Sequence, residues 1–282
     1  MMDHPFLNFR RWQLSAGWHA VSALCWLLIV QSSFAEPDVR HTVAYHREGE
    51  FAGWPANGGF WMWGDEILVG FERWTYDPEP DSRHHTKAPS LGGYYSRSRD
   101  GGLTWQGENR SLIKRPEPDL NFQGQDFALR LWRQSYLTSS NRGRDWRGPF
   151  DLPAFENHSA YARSNYIVTG RNSALLFLST YPKEGAPARS FLARLDGSSR
   201  QFEFVSWIGN DYLDRSRIVP QEDTYRHAIM PSGLRISDGR YVCAVRQRVA
   251  GDRWDDLYET RDSGETWNFL STIERGSDNP IS

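Results

Sequence analysis

The sequence predicts an all-β protein built from several small antiparallel sheets. A turn motif ending in tryptophan occurs three times with matching residue types at the same spacing. The segments around each copy are short and alternate between apolar and polar residues, as half-buried strands do. After residue 35, no segment shows the 3.6-residue apolar period of an amphipathic helix.

The first 35 residues have the composition of a secretory signal peptide. Two arginines precede an apolar stretch at 21–30, and small residues end the segment at Ala35. The alternative, a membrane anchor, is less favoured because a spanning helix needs about 20 apolar residues. We therefore expect a signal peptide at 1–35, cleavage before Glu36, and one secreted or periplasmic domain over 36–282.

The mature chain excludes several classes of partner. Removing 35 residues from 282 leaves 247, with 31 Lys and Arg against 34 Asp and Glu and no basic run. Nucleic acid is therefore not expected as a partner, and no second apolar stretch predicts a membrane span. Cys243 is the one cysteine left, so no internal disulfide is expected. Its stretch "RYVCAVRQ" predicts a buried strand residue in preference to a nucleophile.

The repeated motif has the form Ser-x-Asp-x-Gly-x-Thr-Trp. A worn fourth copy keeps Asp196 and Gly197 and has Phe202 in place of the tryptophan. The three clear copies comprise Ser98, Asp100, Gly102, Thr104 and Trp105; Ser139, Asn141, Gly143, Asp145 and Trp146; and Thr260, Asp262, Gly264, Thr266 and Trp267.

Each residue type in the motif has a role in a β-hairpin. Glycine supplies a positive φ, and aspartate or asparagine accepts backbone N–H groups. Serine or threonine binds the same loop, and tryptophan fills the space beneath the turn. A calcium loop is the alternative, but a calcium site needs several oxygen ligands, and no copy has more than two carboxylates. The motif therefore predicts structural hairpins.

The spacing of the copies predicts a β-propeller. Ser98 and Ser139 lie 41 residues apart, and Ser139 and Thr260 lie 121 apart, close to three further units of 40. A four-stranded propeller blade occupies about 40 to 50 residues. The mature chain is long enough for about four to five blades of four-stranded antiparallel sheets.

The three copies resemble the Asp-box repeat, and residues 53–282 resemble the sialidase (neuraminidase) superfamily. The resemblance implies a six-bladed propeller, incomplete here, so we expect either a C-terminally shortened chain or an open ring with an exposed edge. It also implies an active site on the face away from the boxes. The implied function is an exo-sialidase-type glycoside hydrolase acting on terminal acidic sugars of glycoconjugates, without cofactor. A non-catalytic glycan- or protein-binding propeller is the alternative.

The chemistry of an acidic sugar indicates which residues to look for. A guanidinium pairs bidentately with a carboxylate. Arg246 lies where the resemblance places a carboxylate-binding arginine, and Arg248 is expected on the same strand face. Arg73 and Trp54 are further candidates for binding substrate. No metal is expected, because the paired histidines at 84–85 lack the spacing of a zinc site.

Glycoside hydrolysis also needs an acid to protonate the leaving oxygen, and sialidases use a tyrosine nucleophile with a glutamate base. Asp77 and Asp81, in the loop after Arg73, are the candidate acids. The chain departs from the family pattern at Gly53, where an arginine is expected, and at Met230, where the glutamate is expected.

Ordinary structural roles remain open for every candidate. The two aspartates are then turn residues, and Arg246 and Arg248 pair with carboxylates of the segment at 254–256. At least two of the tryptophans at 54, 61 and 63 are expected to pack in the core or between blades.

Overall fold

The computed structural model describes residues 39–79, 84–113, 120–155, 157–181, 188–209, 226–249 and 252–275. The expected signal peptide and Asp81 lie outside these ranges. By contacts the chain divides into Met1–His41 and Thr42–Ser282, and every element below belongs to the second unit. Within the described residues, no helix is long and apolar enough to cross a membrane.

The described residues form four β-sheets, which we call blades 1 to 4. Blade 1 contains five strands, with the short helix α1 (Pro55–Gly58) between the first two. Strands β1 and β2 both pair with β3, one at each end, so together they form one edge of the sheet. The strands are β1 (Glu50–Gly53), β2 (Phe60–Trp63), β3 (Glu66–Tyr76), β4 (Thr86–Ser98) and β5 (Gln106–Asn109).

Blade 2 has the order β6-β9-β8-β7. Its outer strand β6 runs parallel to β9, whereas its other pairs are antiparallel. The strands are β6 (Ser111–Ile113), β7 (Ala128–Trp132), β8 (Ser135–Ser139) and β9 (Asp145–Asp151).

Blades 3 and 4 are antiparallel sheets whose strands follow chain order. Blade 3 comprises β10 (Ala154–Phe155), β11 (His158–Gly170), β12 (Ser173–Thr180), β13 (Ser190–Asp196) and β14 (Gln201–Trp207). Blade 4 comprises β15 (Arg226–Ser237), β16 (Arg240–Val249), β17 (Asp252–Thr260) and β18 (Asn268–Arg275). The predicted all-β propeller of about four to five blades is confirmed, with four blades in the described residues.

The three motif copies, which we call the tryptophan turns (98–105, 139–146 and 260–267), each join two strands of a different blade. In the first, Asp100 Oδ1 accepts the backbone N–H of Thr104 at 2.9 Å, and Ser98 Oγ accepts that of Gly102 at 2.8 Å. The third repeats these contacts, with Asp262 and Thr266 at 3.0 Å. The predicted turn chemistry is confirmed.

The glycines of the tryptophan turns meet two requirements at once. Gly143 and Gly264 have φ of 75° and 97°, the region that favours glycine. A Cβ on Gly143 would also lie 2.4 Å from Leu68 of blade 1, and one on Gly264 would lie 2.2 Å from Leu192 of blade 3. The turns of blades 2 and 4 therefore pack directly against the preceding blade.

Two of the three tryptophans of these turns also contact the preceding blade. Trp146 is fully buried beside Trp61 and Tyr95 of blade 1. Trp267 donates from Nε1 to Ser206 Oγ of blade 3 at 3.1 Å. Trp105 is half-buried and donates to the carbonyl of its own Gly102 at 2.9 Å.

The worn copy between β13 and β14 forms a different turn. Asp196 Oδ1 accepts the backbone N–H groups of Ser198 and Ser199 at 2.9 and 2.7 Å. Gly197 is not among the positive-φ glycines, and Phe202 packs against the core shared by blades 2 and 3. Only the capping aspartate keeps its predicted role.

Two predicted packing roles are confirmed. Trp61 and Trp63 on β2 donate from Nε1 to the carbonyls of Leu129 and Phe127 at 3.3 and 3.4 Å, which joins blade 1 to blade 2. Cys243 is a fully buried residue of β16, and burial raises the pKa of its thiol.

A buried carboxylate also links blades 1 and 2. Glu66, 9 % exposed, pairs with Arg97 at 2.8 Å, Arg142 at 2.7 Å and Arg144 at 3.1 Å. Arg142 and Arg144 belong to the tryptophan turn of blade 2, so this network holds that turn against β3 and β4.

Candidate functional site

The candidate residues on described strands lie at the blade ends away from the tryptophan turns. In blade 4, Tyr241 pairs with Thr260 at the turn end, and Arg248 pairs with Arg253 at the other end. In blade 1, the turn begins beside Ile67, whereas β3 ends with Arg73 to Tyr76. We call this second end the distal rim. It is the side on which the sequence resemblance implies a site.

Arg246 and Arg248 share one face of β16. Burial alternates along this strand, with Val245 and Gln247 buried and the two arginines partly exposed. The predicted common orientation is confirmed. In register, Arg246 lies between Ile229 of β15 and Asp255 of β17, which is the segment named in the structural alternative.

Two residues that the sequence did not single out join them. Burial and the nearby charge of Arg246 lower the pKa of Arg163 on β11, against the opposing effect of Tyr161. Burial, Arg248 and Arg246 lower the pKa of His227 on β15. The charge of Arg246 therefore acts on Arg163 of blade 3, and the charges of Arg246 and Arg248 act on His227 of blade 4. We call these four residues the arginine cluster.

Met230 faces the arginine cluster from a bulge in β15. The pairing with β16 shifts register between Ile229 and Ser232, and Met230 has φ of 60°. Its backbone N–H donates to Ser179 Oγ at 3.2 Å, and Arg246 Nη1 donates to its Sδ at 3.5 Å. A thioether therefore occupies the position where the resemblance places a glutamate.

Arg73 is engaged within blade 1. Its Nη1 lies 3.6 Å from a carboxylate oxygen of Glu50 and 3.5 Å from the hydroxyl of Tyr45, and its guanidinium lies 4.2 Å from the ring centre of Tyr94. Hydrogen bonding from Tyr45 and Arg47 holds the pKa of Glu50 low despite its burial. These contacts tie the chain before β1 to β3, and a role in binding substrate stays a prediction.

Asp77 closes the loop after β3 in this structure. Its backbone N–H donates to the carbonyl of His85 at 3.2 Å, and its Oδ1 accepts the N–H of Glu79 at 3.1 Å. These are contacts of a turn residue. The acid role stays a prediction, and the same role for Asp81 lies outside the described residues.

Trp54 belongs to an aromatic group at the start of α1. It has φ of 57°, a strained conformation for a tryptophan. Its ring lies 5.5 Å from Phe51, 5.1 Å from His84 and 6.2 Å from Trp74. A Cβ on Gly53 would lie 2.4 Å from Phe51 Cε1. The ring of Phe51 therefore occupies the space that an arginine at 53 would need.

Another guanidinium that the sequence did not single out, that of Arg130, is buried in blade 2. The side chain of Arg130 is 2 % exposed, and its Nη2 lies 3.9 Å from Glu72 of blade 1. Burial lowers its pKa. A charged residue inside the apolar run "ALRLW" is the signal that would have identified it. No group of three or more His, Cys, Asp or Glu side chains among the described residues is arranged to hold a metal ion.

The chain matches no protein-family model, and a search of curated proteins found no relative. A search of solved structures found matches at low sequence identity. They include the endo-arabinase from Bacteroides thetaiotaomicron, with TM-score 0.44, 14 % identity, 74 % of this chain and 77 % of that one. The α-L-arabinofuranosidase Arb93A from Fusarium graminearum gives TM-score 0.45, 14 % identity, and 79 % and 72 % coverage.

An ulvan lyase of family PL25 gives TM-score 0.42, 11 % identity and 79 % coverage of this chain, which spans 56 % of the lyase. None of these three proteins is named as a sialidase, so membership of that superfamily stays a prediction. The strand topology itself identifies the chain as a β-propeller of four blades in the described residues.

Proposed function

We propose that this protein binds acidic sugars through the arginine cluster and acts on glycans. The supporting observations are that Arg246 and Arg248 share one face of β16 towards the distal rim, and that the charge of Arg246 acts on Arg163 of blade 3. Guanidinium groups bind carboxylates with two parallel hydrogen bonds, and positive groups held close together raise the local concentration of anions. The guanidinium groups of the cluster thus suit a sugar that carries a carboxylate.

The finer proposal is exo-sialidase-type hydrolysis of terminal acidic sugars on glycoconjugates outside the cell. The arginine cluster would orient the carboxylate, and the glycosidic oxygen would receive a proton from a carboxylic acid. Asp77 and Asp81 are the candidates for that acid, Arg73 is a further candidate for binding substrate, and Trp54 is the candidate for stacking on a sugar ring. Export through a signal peptide at 1–35 belongs to the same proposal.

A non-catalytic glycan-binding propeller is the second candidate, and two observations favour it. Met230 places a thioether against Arg246 where a base is needed, and Phe51 fills the space beside Gly53. The two changes remove a base and one arginine that the family's chemistry would use, and they leave Arg246 and Arg248 as candidates for binding a carboxylate.

The test measures binding and turnover separately. Calorimetry with N-acetylneuraminate and glucuronate, and fluorogenic glycosides of both acids, would be applied to the full chain and to Arg246→Ala. Arg235→Ala is the matched control, because Arg235 is 41 % exposed and its substitution removes the same charge outside the cluster. Loss of binding in Arg246→Ala alone supports the site. Turnover then selects hydrolysis, and binding without turnover selects the second candidate. Equal binding by both variants would exclude the arginine cluster.

A further inference from the structure

We propose that Met230 is an oxidation site that closes the arginine cluster. A peroxide oxidises its thioether, and the sulfoxide that forms accepts a hydrogen bond from Arg246. The oxidation and the capture of Arg246 are independent of the proposed function. The loss of sugar binding that should follow rests on it.

The contact between Met230 and Arg246 is the starting point. Arg246 Nη1 lies 3.5 Å from Sδ, so a guanidinium donor already points at the sulfur. A thioether is a weak hydrogen-bond acceptor. In the reduced protein the thioether therefore competes only weakly with a carboxylate for Arg246 Nη1.

The backbone holds the sulfur in place. Met230 adopts φ of 60° within a bulge of β15, and its N–H is held by Ser179 Oγ of blade 3 at 3.2 Å. Methionine is otherwise a flexible side chain with three rotatable bonds. Because the main chain is fixed here, the side chain can reach fewer positions, and the product of oxidation forms next to Arg246.

The chemical step is balanced with a peroxide alone. A lone pair of the thioether sulfur attacks one peroxide oxygen, the O–O bond breaks, and an S–O bond forms. The sulfur loses two electrons, and the peroxide is reduced, with hydrogen peroxide yielding water. The product is a sulfoxide, which is polar and is reversible by methionine sulfoxide reductases.

The sulfoxide oxygen changes the competition for Arg246. It is a strong acceptor, and a hydrogen bond from a guanidinium to it is charge-assisted. A carboxylate would have to displace this internal acceptor before binding. Because a hydrogen bond to a charged group is stronger than one between neutral groups, we expect sugar binding to weaken about tenfold.

The chain provides its own control. It has four methionines, of which Met1 and Met2 begin the chain. Met62 is 61 % exposed on β2, where it pairs in register with Ile67. Peroxide should oxidise Met62 readily, without the consequences expected at Met230.

The experiment treats the full chain with dilute hydrogen peroxide and maps sulfoxide by peptide mass spectrometry. Labelling of Arg246 by phenylglyoxal, also mapped by mass spectrometry, and calorimetry with N-acetylneuraminate and glucuronate follow. Met230→Leu and Met62→Leu are treated in parallel, each compared with its own untreated protein. We expect sulfoxide at Met230, slower labelling of Arg246, weaker binding, and recovery with a sulfoxide reductase. Met62→Leu should respond in the same way, and Met230→Leu should not respond.

Two results would overturn the proposal. One is an unmodified Met230 under conditions that oxidise Met62. The other is Arg246 labelling that changes equally in Met230→Leu, or that does not change at all when Met230 is oxidised. If neither sugar binds the untreated protein but oxidation still protects Arg246, the proposed function fails and the oxidation site stands.

Discussion

The inter-blade contact of Gly143 allows a quantitative test of how the blades pack. Gly143→Ala would add a methyl group 2.4 Å from Leu68 Cδ2 in a residue with φ of 75°. The left-handed conformation costs a non-glycine residue about 1–2 kcal/mol, and overpacking in a well-packed region costs about 1–3 kcal/mol. We therefore expect Gly143→Ala to lower the free energy of unfolding by about 2–5 kcal/mol.

Gly64→Ala is the matched control. Gly64 has φ of 65°, but a Cβ there has no atom within 4 Å. This variant should lose only the conformational contribution, about 1–2 kcal/mol. Leu68→Ala combined with Gly143→Ala should remove the clash, so the two substitutions should not add.

Equilibrium unfolding in urea, followed by tryptophan fluorescence, would be measured for the unsubstituted protein, for Gly143→Ala, Gly64→Ala and Leu68→Ala, and for the double variant. The difference between Gly143→Ala and Gly64→Ala isolates the contact between blades 1 and 2. Equal losses in the two variants would show that the turn does not press against Leu68, and additive effects of Gly143→Ala and Leu68→Ala would show the same.

Three further predictions concern single side chains. Trp146→Ala should lower the free energy of unfolding by about 3–5 kcal/mol because the indole is fully buried between blades. Thermal unfolding would measure this, and a decrease below about 1 kcal/mol would contradict it. Hydrogen bonds from Thr266 and Thr260 lower the pKa of Asp262 to about 2, so its contribution to stability should be complete above the unfolded value near 4 and disappear as the pH falls through about 2. Urea unfolding should accordingly give a lower free energy of unfolding for Asp262→Asn than for the unsubstituted protein at pH 5, and this difference should shrink towards pH 2. A difference that is independent of pH would refute the prediction. Cys243 should react with a thiol reagent only on unfolding, since burial raises the pKa of its thiol, and rapid labelling of the native protein would contradict its burial.

The tryptophan turns could be predicted because their hydrogen bonds are local. Asp100 accepts from Thr104, and Asp262 accepts from Thr266, each four residues along the chain. Contacts at such short range depend on residue type and spacing, which the printed sequence contains. The same holds for the burial of Cys243, which follows from alternation within one strand.

The arginine cluster could be predicted only in part. Arg246 and Arg248 share a strand, so the two-residue period placed them on one face. Arg163 and His227 come from other strands, and nothing in their own segments states which residues they will meet. The resemblance identifies Met230 as the position of an expected glutamate. Its contact with Arg246, however, depends on a bulge in β15 that the sequence does not predict.

The strand-rich fold, the hairpins and their repetition could be predicted from the sequence, because they follow from alternation and turn chemistry within a few residues. The three-dimensional structure was needed to show which blade each glycine and tryptophan packs against, and which residues of other strands lie near Arg246 and Arg248. Such contacts join residues far apart in the chain. Their geometry is set by how neighbouring sheets pack, and this packing cannot be predicted from the spacing of side chains along one strand.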